Sequence, residues 1–592
     1  MDGRELGRKV TATPMRYITA ARQQSLVGLE ALEDLASVWE DILETVELGV
    51  VDLFLSHLDE DLAPKPSSPR EWQIDADFAY TAISALAYMG KILENPNLAL
   101  QTEAIFSALP GIIKWSQYVY DMKAEDSPDF IHTLIHLFAL CAEFPAWAPV
   151  LFDIPGCLQL MTKLWIWDST AAHTDTTRAL AIILAHAKGR VDVYDRIDDA
   201  VDGDVGSIAR LALRRAKKAT KRIDTEEGQI GFTVCVDLIS TLCYPPPPHR
   251  FREAFFAAGV ITTLTRSFVT VSRIIPSNPT QSHEMMFISF VNFFAFSLEG
   301  SDYLSVVQAV KAGFLQALIR CSPAFPHMEE LLVDRALDIV SNIMPLYTVY
   351  YSFMHAIGHF IEEWRDPPYT ELLEQPEMAE AFSPFLITAD RRVAAMQYWD
   401  GGRGPSCRCH NLQCQNLNAQ TKLKRCEACR TVYYCSLPCQ RLDWKATHRR
   451  LCHPFRLQRP SGQRPKRDMD CLRAIAQYTA DLDRTVFLFI AERDFPDTPL
   501  DELIPWIDFT CVPENLSLKL VKDAVEWDPN FLSFMERCRS WGVIIMGCSR
   551  RNGSQNENLW FPAGRKDFWT DGNSEEVEVD LGQLSFKFEG DP

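Results

Sequence analysis

Eight of the chain's 17 cysteines fall between Cys407 and Cys452, a stretch that also holds His448. They are spaced as C-x4-C (Cys409, Cys414), C-x2-C (Cys426, Cys429), C-x3-C (Cys435, Cys439) and H-x3-C (His448, Cys452). Thiolate and imidazole are ligands that zinc prefers, and a turn or helix can present two of them, a few residues apart, to one ion. Four pairs supply two tetrahedral sites, so the stretch is expected to bind two Zn2+ ions.

Helix geometry indicates how the pairs are shared. Cys435/Cys439 and His448/Cys452 each have i,i+4 spacing and lie on one helix face, but Cys439 and His448 are about half a turn out of phase. One ion cannot take both pairs from a continuous helix. The expected sets are Cys409, Cys414, Cys435 and Cys439 for one ion, and Cys426, Cys429, His448 and Cys452 for the other. Cys407 and His410 flank the first ligand and could replace it, so that position stays open. A disulfide set is the alternative use of such cysteines. It conflicts with a sequence that opens on no secretory leader and whose other nine cysteines are scattered singly, as in a reduced compartment.

The run from Cys426 through Tyr434, Cys435, Ser436, Gln440, Asp443 and Trp444 to Cys452 reads C-x2-C-x5-C-S-x2-C-Q-x3-W-x3-H-x3-C. It resembles the MYND-type zinc finger. The resemblance covers 44 of 592 residues, and the C-x4-C opening is similar to variants found in fungal MYND proteins. It implies an extended proline-containing peptide as ligand, with Trp444 as an aromatic shelf and Gln440 as a hydrogen-bonding amide. The two residues are four apart and share a helix face. Glu427, set among Lys424, Arg425 and Arg430, is expected to alter which flanking charges are accepted. The finger's own apolar residues, chiefly Leu412, Val432, Tyr433, Tyr434, Leu442 and Trp444, are too few for a self-sufficient core, so zinc should supply on the order of 10 kcal/mol of its folding.

The chain is 47% hydrophobic and 23% charged, a globular composition long enough for several domains or one long repeat array. Its net charge is −20, yet residues 403–468 hold 15 Lys and Arg against 3 Asp and Glu, a formal +12 that leaves about −32 on the rest. Two zinc ions and seven thiolates trim the finger to about +9. An acidic body argues against a general affinity for nucleic acid or anionic membrane, while the basic finger leaves a local one open.

Before residue 400 the apolar spacing is helical, as in Leu26, Leu29, Leu32 and Leu35. A glycine followed by two mostly apolar residues recurs at Gly49, Gly111, Gly156, Gly206, Gly259 and Gly313, at intervals of 62, 45, 50, 53 and 54 residues. Each glycine is expected to end one helix in a left-handed cap before the next begins. Stacked helix pairs or triplets follow, and Ala258–Gly259 and Ala312–Gly313 resemble the armadillo repeat. Met285–Leu298 is too short to span a membrane, and Asn342–Ile361 is interrupted by Pro345 and Gly358, so both read as buried helices.

The expected architecture is mainly α. A helical repeat scaffold occupies 1–400, a flexible linker 401–408, the zinc finger 409–452, a basic linker 453–470 and a small α+β domain 471–592. The α+β domain should contain the apolar runs Val486–Ile490 and Val543–Met546 and close with a hairpin around Gly582. The basic cluster in Arg459–Arg467 reads as a solvated linker or a nuclear address.

Other candidate chemistry is sparse. His355 and His359 with Glu362 or Glu363 have metal-ligand spacing on a helix but lack the general-base Glu of H-E-x-x-H, so they read as ordinary core or surface residues. Pro245–Pro248 reads as a stiff spacer. A SET-type lysine methyltransferase carrying a MYND insertion would need an Asn-His motif and a later cysteine triad; the chain has neither, and Cys471, Cys511, Cys538 and Cys548 are isolated. No G-x-S-x-G or phosphate-binding loop compensates. The expectation is a non-enzymatic interaction protein, intracellular and cytoplasmic or nuclear, whose finger captures proline-containing segments of partner proteins. Similarity to fungal proteins that pair an armadillo-like region with a MYND finger suggests a ubiquitin-ligase adaptor. The rival from another class is a nucleic-acid-binding regulator.

Overall fold

The structure is a computed structural model. It describes residues 8–10, 12–37, 48–64, 73–88, 96–123, 127–144, 146–168, 175–186, 190, 192–244, 250–300, 302–364, 367–398, 409, 411, 414, 424–428, 433–449, 452, 466–527, 535, 544–552, 555–563 and 566–569. The fold is mainly α, with a small sheet near the C-terminus and the cysteine-rich finger between.

From residue 99 the helices come in threes. The groups are Ala99–Ser107, Leu109–Lys123 and Pro128–Glu143; Ala148–Asp153, Cys157–Trp167 and Asp175–His186; Asp192–Asp199, Val205–Ala219 and Glu226–Cys243; and Arg250–Ala257, Val260–Val271 and Gln281–Gly300. In each group the first helix is the shortest and the third the longest.

Local sequence sets these breaks. Gly49, Gly156, Gly259 and Gly313 have φ of 79°, 81°, 80° and 99°, the left-handed region where a Cβ is costly, and each stands directly before a helix. Gly111 and Gly206 differ from the expectation, since both lie inside helices. A side chain at Gly111 would run into the Leu58 carbonyl oxygen, so close backbone approach explains that glycine. Before Val205 the turn is instead made by Gly203, with φ 84°, and by Asp204, whose carboxylate accepts from the Ser207 amide.

Two compact units divide the chain, one of residues 1–267 and 280–293, the other of 268–279 and 294–592. In the first, the third helices pack in succession. Gln73–Tyr88 lies on Pro128–Glu143, which lies on Asp175–His186, which lies on Glu226–Cys243. The series continues where Phe232 meets Phe290 at 5.4 Å and Asp237 accepts from Ser289 Oγ at 2.6 Å. Pro128–Glu143, Asp175–His186 and Glu226–Cys243 thus each pack on both the preceding and the following member of the series, the nearest-neighbour logic of a stacked repeat.

The second unit includes residues on both sides of position 400. Two short strands of the finger, β1 (Lys424–Arg425) and β2 (Tyr433–Tyr434), are followed by a four-stranded sheet of β3 (Leu503–Phe509), β4 (Asn515–Leu520), β5 (Ile544–Asn552) and β6 (Gln555–Ala563). The sheet order is β4-β3-β5-β6, with β3 parallel to β5 and the other pairs antiparallel. The apolar run Val543–Met546 leads into β5, but Val486–Ile490 lies in the helix Arg484–Asp494. The hairpin expected at Gly582 and the tetraproline run lie outside the described residues, as do both linkers apart from residues 466–470.

The helix before the finger, Pro376–Tyr398, packs against the helix after it, Lys466–Leu482. Asp468, fully buried, accepts from the Ser352 amide at 2.7 Å, Ser352 Oγ at 3.1 Å and Tyr303 Oη at 2.9 Å. It thereby caps the helix Tyr351–Trp364 from a distant segment. Asp468→Ala takes the acceptor from the buried Tyr303 hydroxyl and from two half-buried donors of Ser352, and is expected to destabilise this unit by about 2–3 kcal/mol. Faster hydrogen exchange at Ser352 and its neighbours, with exchange in Pro128–Glu143 unchanged, is the expected reading.

Among the described residues no single helix is long and apolar enough to cross a membrane. Two bent pairs, Arg250–Ala257 with Val260–Val271 and Tyr303–Lys311 with Phe314–His327, reach that apolar length only together, across bends of 62° and 59°. Met286, Phe287 and Phe290 of the Met285–Leu298 stretch are fully buried, whereas Met285 and Phe296 are exposed, so the expected burial holds for only part of the stretch. Asn342–Ile361 is not one helix, because the chain passes through a 3-10 turn at Met344–Tyr347 before Tyr351–Trp364 begins.

Candidate metal centre

The finger builds its sites from very little regular structure. β1 and β2 pair antiparallel, Lys424 opposite Tyr434 and Arg425 opposite Tyr433. Directly after β2, Ser436 caps the helix Leu437–Asp443, its Oγ accepting from the Cys439 amide at 3.3 Å, with Pro438 in the first turn where no amide partner is needed. Cys435 is thus presented from the hairpin's exit and Cys439 from the first helical turn. The helix then widens into a π-helical turn, Trp444–His448. The continuous α-helix assumed from the spacing is therefore interrupted, and the rotation between Cys439 and His448 differs from the ideal value. The two residues still belong to separate clusters.

The clusters pair distant segments. The ligand atoms of Cys409, Cys414, Cys435 and Cys439 lie within 4.8 Å of one another, as do those of Cys426, His448 and Cys452. Cys429, expected beside Cys426, lies outside the described residues, and so do Cys407 and His410. Sulfur separations test whether a metal fits. With zinc–sulfur bonds of about 2.3 Å, a tetrahedral site has sulfur–sulfur edges of about 3.8 Å. The Sγ atoms stand 3.5 Å apart for Cys414 and Cys435, 3.6 Å for Cys435 and Cys439, and 3.9 Å for Cys426 and Cys452. These are edges of a ligand tetrahedron and far beyond the roughly 2.05 Å of a disulfide bond. The finger fits two zinc ions.

Burial and hydrogen bonding support the sites. Cys409, Cys426, Cys452 and His448 are buried, and with Tyr434 the thiols make up the finger's small core. Leu442 and Trp444, counted as core candidates from sequence, are 51% and 39% exposed, which leaves even less apolar support than expected. Without metal the thiols diverge. Burial pushes Cys409 up to about 12. Burial also acts to raise Cys439, but hydrogen bonds from Asn411, Ser436, Cys435 and Cys414 outweigh it and bring that thiol down to about 7.

Two supporting contacts were not apparent from spacing. Asn411 is buried and its carbonyl accepts from the Cys414 amide at 2.9 Å, which closes the turn between the first two ligands. Asp443, 2% exposed, accepts from Tyr434 Oη at 2.6 Å and locks the helix to β2. Tyr434 also meets His448 of the second cluster edge-on at 6.1 Å and directly precedes Cys435 of the first, so one buried hydrogen-bonded residue adjoins both clusters.

Comparison with protein-family models matches residues 408–452 to the MYND finger. These residues are a MYND finger. No curated protein matches the chain. The MYND finger is a zinc-binding protein-interaction domain, and its match accounts for the ligand clusters and little of the helical scaffold. The other expected peptide-site residues sit on its helix. Gln440 is half-buried, and Trp444 lies edge-on to His448 at 5.5 Å while keeping 39% of its surface exposed. Trp444 therefore touches a ligand without being enclosed between the zinc clusters. Outside the finger, His355 packs near the Tyr351 ring at 5.9 Å. The side chains of His359 and Glu362 lie outside the described set.

Proposed function

We propose that this chain is a non-enzymatic, zinc-dependent adaptor, in which the MYND finger captures proline-containing segments of partner proteins and an armadillo-like array of helix triplets serves as the scaffold. The observation that carries the reading is the exposed ring of Trp444, held one helical turn from Gln440 and braced by a buried zinc ligand. A proline ring stacks on such a surface at little entropic cost because its backbone is already extended, and a glutamine amide can fix the register of the peptide chain. The scaffold reading is supported by glycine-separated helices and the succession of third helices. The protein then works inside the cell, in cytoplasm or nucleus, where thiols stay reduced.

Binding of a fluorescent proline-rich peptide to the full zinc-loaded chain tests this. Trp444→Ala is expected to weaken binding by about 2 kcal/mol and Gln440→Ala by about 1 kcal/mol, with zinc content unchanged. Loss of zinc in Trp444→Ala would make the tryptophan structural and remove the shelf. A wild-type chain that binds the same peptide equally well after its prolines are replaced by alanine would defeat the reading altogether.

A further inference from the structure

The exposed helical side of the finger carries charge as well as the aromatic ring. Arg441, Lys445 and Arg449 are exposed and follow one another at intervals of four, with Arg441 three residues before Trp444 and Lys445 next to it. Intervals of four set the three cations in one row along the helix, and Arg441, three residues before Trp444, is the one that shares the tryptophan's side. Lys424, also exposed, is paired with Tyr434 across the β1–β2 hairpin. Among the described residues none of these four cations has an ion-pair partner. The finger's carboxylates do not neutralise them. Asp443 is buried against Tyr434, and Glu427 is the one exposed acid among the described finger residues. A row of exposed cations with no ion-pair partner among the described residues, beside an exposed tryptophan and in a chain of net charge −20, is a ligand-selecting feature.

We propose that the segment captured by the finger is acidic as well as proline-containing, with Asp or Glu beside the prolines docking on Arg441 and Lys445 while a proline ring lies on Trp444. This rests on the proline-peptide reading above and names the class of peptide. Nucleic acid is the weaker fit to the same cations. Three or four phosphate contacts bind mostly by counterion release, with little affinity at physiological salt, and a long polyanion also meets the field of a body carrying about −32 outside residues 403–468. A short acidic peptide avoids that penalty, since charges more than about 8–10 Å away are screened.

The test uses the full zinc-loaded chain and fluorescence polarisation with four peptides of one length. The first has a Pro-Pro core flanked by Asp and Glu. The second has those acids replaced by Gln, the third by Lys, and the fourth keeps the acids but has Ala for each Pro. Two exposed ion pairs favour the acidic peptide over its Gln counterpart by about tenfold at low salt, an advantage that shrinks as salt is raised. The double variant Arg441→Glu, Lys445→Glu should lose that advantage and prefer the Lys-flanked peptide, while its zinc content and its affinity for the Gln-flanked peptide stay unchanged. Equal binding of acidic and Gln-flanked peptides by wild type, with Trp444→Ala weakening both, overturns the charge selection and leaves the proline reading standing. Equal binding of the Ala-for-Pro peptide overturns the proline reading and this inference with it. Displacement of the acidic peptide by a single-stranded oligonucleotide of equal charge, at lower concentration than by the unlabelled acidic peptide, also overturns it and assigns the cations to phosphate.

Discussion

Cys435→Ala is expected to cost the protein one of its two zinc ions and to unfold the first cluster, and Cys426→Ala to cost it the other. The effect is large because the finger has little else to fold around. Its core consists of Tyr434 and the ligand thiols themselves, with Leu437, Leu442 and Trp444 on the outside. Metal binding therefore carries about 10 kcal/mol of the finger's folding free energy. The clusters are interleaved, since Cys414 and Cys435 bracket Cys426, and Cys426 and Cys452 bracket Cys435 and Cys439. Each ion closes a loop around ligands of the other, so losing one ion also loosens its neighbour. Metal analysis of zinc-repleted protein should give about two zinc ions per wild-type chain and about one for each variant. A wild-type ratio of one would remove the cross-brace. Lowering the pH should release zinc from both, because protons compete for the thiolates and for His448.

The metal centre was legible because its ligands must be Cys or His at turn-length spacing, a chemical demand that leaves few alternatives. Cys409, Cys414, Cys435 and Cys439 come together, and Cys426 meets His448 and Cys452, as the pair spacing predicts, although the helix is broken at Trp444–His448 and Cys429 lies outside the described residues. Nothing in composition announces the π-helical turn that precedes His448's cluster with Cys426 and Cys452. Helix breaks were legible where backbone conformation dictates residue type, as at Gly156 and Gly313. The signal misled at Gly111, where the same residue serves close approach to Leu58, and at Gly206, where the turn belongs to Gly203. Periodicity could not reveal that Pro376–Tyr398 and Lys466–Leu482 pack together across the finger. That pairing joins residues far apart in sequence through apolar faces that any other helix could also satisfy. Asn411 gave no signal either, because its role depends on a turn fixed only once Cys409 and Cys414 share an ion.

The same long-range joining makes Arg392 a residue of large effect. It lies on the helix leading to the finger, and its guanidinium donates to both carboxylate oxygens of Glu514, at 3.2 and 3.1 Å, in the turn between β3 and β4. The side chains are 4% and 8% exposed, so the pair is nearly dry. Burial alone would raise the Glu514 carboxyl, but the Arg392 charge and its hydrogen bonds outweigh it and hold that group below the usual carboxylate range. Arg392→Ala leaves a buried carboxylate unpaired and is expected to destabilise the unit by about 3–5 kcal/mol. Replacing both partners, Arg392→Met with Glu514→Leu, should recover most of that loss, because the penalty lies in the orphaned charge. The pH dependence has a fixed sign. A depressed folded-state pKa contributes stability above the unfolded carboxylate value of about 4.3, and that stability is lost as pH falls through the folded value. Amide exchange across Ile504–Phe509 reads the effect, about a hundredfold faster or more in Arg392→Ala at neutral pH and near wild type in the double variant. Exchange that stays at the wild-type rate in Arg392→Ala would show that the pair does not tie the helix before the finger to the sheet after it.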